Sequence, residues 1–239
     1  MHDFSPLDAL AFAYFIGAWI GYSIAIEHTR HGRSGLNSLM HAYRDRWMIE
    51  MLGRSMRMLD GQVTASLQNG AAFFASTSLI AIGGTLALVR STEEILTLVA
   101  ILPFSGVPSR ALWEVKILGL AVIFVYAFFK FAWSYRLYNY VAILIGAAPP
   151  VEEKDSAPAR ELAHRAAHIC ADAGRHFNRG QRAFFFALGY LGWFLGPLPL
   201  VLATSAVVVV MYRRQFYSES RLAFSSAVDL PALQPPPDG

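Results

Sequence analysis

The sequence predicts an all-α fold: a polytopic membrane bundle of about four spans, the last kinked at a Gly-Pro break, with amphipathic helices on the cytoplasmic side. Three observations carry the prediction. Hydrophobic residues fill 55% of the 239 positions and charged ones only 15%, against about a quarter charged in ordinary globular chains. The apolar residues gather in runs of about 20, the length a helix needs to cross roughly 30 Å of hydrocarbon. The formal charge of +3 is small, and its Lys and Arg residues cluster between the runs, which speaks for membrane orientation and against a nucleic-acid partner.

Taken in order, the start Met1 to Pro6 has no Lys or Arg, and no A-x-A-like site precedes Glu27. The first run is therefore expected to be a retained span and not a cleaved signal. It covers Leu7 to Ile26, and its Gly17 and Gly21 form a small-xxx-small pair suited to close helix packing. Asn37 to Leu59 places apolar residues near the 3.6 period among Arg44, Arg46, Arg54 and Arg57, as an interfacial helix would. The second span is Gly70 to Val89, free of charge and rich in Ser, Thr and Gly. Ile95 to Phe104 is too short to span and is expected at the opposite surface.

The third span centres on Ile117 to Phe129, bounded at about 111 to 133 by Trp113 and Trp133, with the helical pattern able to continue toward Gly146. Pro149 to Pro158 reads as a polar linker and Glu161 to Phe177 as a polar helix with one apolar side. The fourth run, Ala183 to Tyr212, holds no charge across 30 residues, about 45 Å as a helix and more than a bilayer core requires. Gly196, Pro197 and Pro199 supply a break, and Gly192 and Gly196 a packing face. Residues 1–229 are expected to form one membrane-embedded domain, and 230–239, ending in Pro235 to Pro237, a disordered tail.

An amino terminus outside a bacterial inner membrane satisfies the positive-inside rule, because the segments 27–69 and 130–182 then hold 6 and 8 Lys or Arg on the cytoplasmic side. Four crossings conflict with this at one point, since they leave Arg213 and Arg214 outside. Two readings stay open: a single kinked fourth span, or a hairpin turning at Gly196 to Pro199. The kinked span is preferred, because irregular backbone at that depth must be shielded by protein.

Phe128 to Pro149, FFKFAWSYRLYNYVAILIGAAP, and Gly180 to Tyr212, GQRAFFFALGYLGWFLGPLPLVLATSAVVVVMY, match in order and spacing the membrane family called domain of unknown function 599. The shared features are Ser134, Arg136, Asn139, Ile143 to Ile145 and Pro149 in the first segment, and Gly180, Arg182, Gly196 and Pro197 in the second. The resemblance covers most of Leu7 to Phe216. It implies membership and supplies no catalytic residue.

Candidate chemistry is sparse. Arg136 and Asn139 share a helical face, and Gln181 and Arg182 are expected beside them at the cytoplasmic border, as a cluster able to grip a lipid headgroup or lock two helices. Ordinary positive-inside anchoring is the plainer account of the same residues. His164 and His168 are four apart, with Cys170 and His176 nearby, yet position 165 is Arg where HEXXH needs Glu, so no metal is expected. The isolated pair reads better as a solvated face, as do His28, His31 and His41. Cys170 lacks a nucleophile signature, no cofactor motif is present, and no ionisable residue lies near a span centre. The expected role is a non-catalytic scaffold with the bilayer, membrane-protein partners or a second copy as its company. A small channel or carrier, and a lipid-binding or lipid-modifying protein, are the alternatives.

Overall fold

The computed structural model describes residues 5–29, 36–100 and 109–217. These residues form helices and no strands: α1 Pro6–His28, α2 Leu36–Leu52, α3 Met58–Arg90, α4 Thr92–Val99, α5 Arg110–Gly146, α6 Ala157–Tyr190 and α7 Pro197–Phe216. Short 3₁₀ turns occupy Val151–Glu153 and Leu191–Phe194. Four helices, α1, α3, α5 and α7, are long and apolar enough to cross a membrane. The expected tail at 230–239, His31, and the 101–104 end of the short surface segment lie outside the described residues.

Local chemistry sets the boundaries. Ser5 caps α1 through a reciprocal box with Asp8, its Oγ donating to Asp8 Oδ2 at 2.7 Å and accepting from the Asp8 amide at 3.1 Å, while Pro6 opens the helix. Ser109 and Ser156 cap α5 and α6 more simply, each side chain accepting from the amide three residues on, of Leu112 and Ala159. The second span runs longer than expected, because α3 absorbs Met58 and Leu59 from the interfacial segment, whereas α5 continues to Gly146 as its helical pattern allowed.

The helices pack antiparallel in sequence. Phe74 on α3 stacks on Phe131 of α5 at 5.1 Å, and Gln68 Nε2 donates to Asn139 Oδ1 at 2.5 Å further along. On α5 and α6, Phe131 lies against Gly180, and Ser134 Oγ donates to the Ala173 carbonyl at 2.8 Å. The polar half of α6 was expected to be helical with one apolar side, and that side is an alanine stripe: Ala159, Ala163, Ala166, Cys170 and Ala173 are buried against Met48 and Met51 of α2 and Val141 of α5. Small side chains at this spacing let α2 lie close on α6. A second core joins Phe15 of α1 with Phe186, Tyr190 and Trp193 through edge-on rings.

The fourth apolar run departs from a single kinked span. Its first part is the end of α6, and at Leu191–Phe194 the helix tightens to a 3₁₀ turn before the chain reverses at Gly196. Gly196 has φ 134° and ψ 176°, a backbone region essentially reserved for glycine. Pro197 then starts α7 with its ring fixing the first helical φ. A Cβ on Gly192 would sit 2.6 Å from the Pro199 carbonyl oxygen, and one on Gly189 3.3 Å from Thr204 Cα. The two arms therefore meet backbone to backbone. Shielding, the objection to a hairpin, is met from within the chain, since Trp193 and Leu200 at the turn are buried.

Candidate functional site at the basic end of the bundle

The reversal gives the bundle two unlike ends. At the hairpin tip, Trp193 Nε1 donates to Asp8 Oδ1 at 2.8 Å, and buried Lys116 Nζ donates to the Trp193 carbonyl at 2.8 Å, 4.0 Å from Asp8 Oδ1. This polar knot fastens the turn to the first turns of α1 and α5. At the other end, Glu27 receives two arginines of α6: Arg179 Nε donates to its two oxygens at 3.0 and 3.2 Å, and Arg179 and Arg182 each add an Nη2 contact. Asp8 and Glu27 are 19 residues apart on α1, about 28 Å at the helical rise and close to one hydrocarbon thickness.

Because α7 returns along α6, its last turn reaches the same basic end. An open pocket of about 230 Å³ forms there. Helix α1 contributes Tyr22 and Ile26, α6 contributes Asn178, Gln181, Arg182 and Phe185, and α7 contributes Met211, Arg214 and Gln215. Arg182 is buried and fixed by Glu27. Arg214 is exposed, with its guanidinium over the Phe185 ring at 5.4 Å, the geometry of a cation–π contact. Gln215 Nε2 is buried without a hydrogen-bond partner. Glu27, Arg179, Arg182 and Arg214 carry a formal excess of two positive charges, so the pocket suits an anion.

Of the cluster expected from the sequence, the structure brings Gln181 and Arg182 into this pocket and leaves the other two elsewhere. Arg136 is exposed on α5, where its Nε donates to Tyr140 Oη at 2.7 Å and its guanidinium lies 5.7 Å from the Trp133 ring. Asn139 faces α3 through Gln68. Gly192 packs at the hairpin and Gly196 makes its turn with Pro197, whereas a Cβ on Gly17 or Gly21 would meet nothing within 4 Å among the described residues, and both lie on an open face of α1.

Tyr22, Glu27, Asn178, Arg214 and Gln215 were missed from the sequence. Their one signal was the misplaced charge of Arg213 and Arg214, which a hairpin resolves, and Arg214 then lines the pocket with Arg182.

The histidines disperse. His164 Nδ1 lies 3.3 Å from Asp45 and His168 Nδ1 3.7 Å from Asp172. Among the described residues no three His, Cys, Asp or Glu side chains form a metal-holding group. Burial pushes the Cys170 thiol above its ordinary range, away from the reactive thiolate. Burial, then the cations Lys130, Arg179 and Arg175, push His176 below the usual histidine range.

A family-wide sequence model described as "Protein of unknown function, DUF599" matches residues 10–220. No curated protein and no solved structure matches.

Proposed function

The chain belongs to the DUF599 family, and from the pocket at its basic end we propose that it is a multi-pass membrane protein that holds the headgroup of an anionic lipid on the cytoplasmic face. The carrying observation is the convergence of Arg182, Arg214 and the unpartnered Gln215 amide on one cleft whose other wall is apolar, with Ile26, Phe185 and Met211. Guanidinium groups bind phosphate through paired hydrogen bonds, and an apolar wall beside them fits an amphiphile better than a free ion. This reading takes precedence over the scaffold and the channel, because Arg182, Arg214 and the unpartnered Gln215 amide converge on this one cleft.

The orientation follows from the same charges. The hairpin puts the end of α7 with the basic end and the start of α1 with the tip, so the positive-inside rule gives a cytoplasmic end of α7 and an amino-terminal side outside. A reporter enzyme fused after Tyr217 is expected to be active only as a cytoplasmic reporter. Activity restricted to the outer face would remove the cytoplasmic assignment.

Arg214→Ala tests the pocket with little risk to folding, since the side chain is exposed. The anionic lipid that copurifies in mild detergent should fall about tenfold, the usual scale for losing one charged hydrogen bond. Unchanged lipid content in a well-folded variant would end the headgroup reading.

A further inference from the structure

Resting on that reading, we propose that the pocket selects a phospholipid whose phosphate carries a polyol, such as glycerol, inositol or a sugar, over a bare phosphomonoester. The argument turns on what each side chain can offer. Guanidinium groups only donate, and Arg182 and Arg214 meet the needs of phosphate oxygens, which only accept. Gln181 and Gln215 also line the cleft, and each carboxamide presents an acceptor as well as two donors. A phosphate alone cannot use those acceptors. Hydroxyl groups can, since each both gives and takes a hydrogen bond, and Tyr22 adds a further group of that kind.

The cleft's volume of about 230 Å³ leaves room beyond the five heavy atoms of a phosphate, which points the same way. The Gln215 Nε2 donor is buried and unmatched, a cost that a ligand hydroxyl or phosphate oxygen would relieve. A cationic headgroup finds no welcome, because the site's carboxylate, Glu27, is already occupied by Arg179 and Arg182.

The full chain would be reconstituted in vesicles of equimolar phosphatidylglycerol, phosphatidate and phosphatidylcholine, then extracted in mild detergent and its bound lipid counted. Phosphatidylglycerol should be enriched about tenfold over phosphatidate, the scale of one or two added hydrogen bonds, and both over phosphatidylcholine. Gln215→Leu should bring the first ratio to about one, since it removes the carboxamide oxygen that only a hydroxyl can use, and should also weaken both anionic lipids against phosphatidylcholine through the lost Nε2 donor. Gln181→Leu serves as a second variant should Gln215→Leu fail to fold.

Equal or reversed enrichment of phosphatidate would overturn the polyol assignment and leave the anionic-lipid reading standing. No enrichment of either anionic lipid would overturn both. Displacement of bound lipid by soluble glycerol 3-phosphate at matching concentration would assign the site to a free polyol phosphate and overturn its lipid source.

Discussion

Replacing Glu27 with alanine is expected to lower the stability of the detergent-purified protein by about 3 kcal/mol, the scale for removing one partner of a buried ion pair. The reason is asymmetry. Arg182 is buried, and without Glu27 its guanidinium loses its one carboxylate partner among the described residues and keeps Arg179 as a like-charged neighbour. The double variant Glu27→Gln with Arg182→Gln should recover part of the loss, because the buried Arg182 charge is gone and only the half-buried Arg179 is left without its carboxylate. Thermal unfolding followed by circular dichroism would measure both. If Glu27→Ala unfolds at the temperature of the parent chain, the pair does not hold α1 to α6. The pocket should fail with it, since Arg182 is positioned by the same carboxylate.

The second large effect is expected at Gly192. Even the methyl group of Gly192→Ala would press on the Pro199 carbonyl at 2.6 Å, and backbone cannot yield as a flexible side chain does. A loss of about 3 kcal/mol, the upper part of the range for overpacking, should follow. Gly196→Ala should cost about 1–3 kcal/mol by a different route, because it forces an L-residue into a glycine-only conformation. Gly17→Ala is the control, with open space around its α-carbon. A cysteine at position 198 on the exposed side of the tip, labelled from either face of sealed vesicles, would report whether the hairpin still forms.

The helices were readable because their apolar runs are long, whereas the caps that bound them, Ser5 with Asp8, Ser109 and Ser156, went unread. The reversal was harder to read. Gly196 and Pro197 signal a break of any angle, and the angle is decided by contacts that no local window contains, namely Trp193 on Asp8 and Lys116 on the Trp193 carbonyl. The alanine stripe of α6 was read only as one apolar side, because alanine is weakly hydrophobic and its use for close packing shows only when α2 is laid on it. The candidate cluster split for a related reason. Arg136 and Gln181 belong to different helices, and their shared border was inferred from span ends, whereas α5 and α6 both extend well past those ends.

The ion pair at Glu27 also fixes an order of events during synthesis. Glu27 enters with α1, while Arg179 and Arg182 lie 152 and 155 residues further along the chain. At about 5–20 residues per second, the carboxylate is in place roughly 8–30 s before either arginine exists. Helix α1 must therefore wait, loosely held, for the hairpin to arrive. The short arm from Ala183 to Tyr190 is about 12 Å long at the helical rise and needs α1 and α5 as its walls. The last two helices thus close the bundle as a single late insertion.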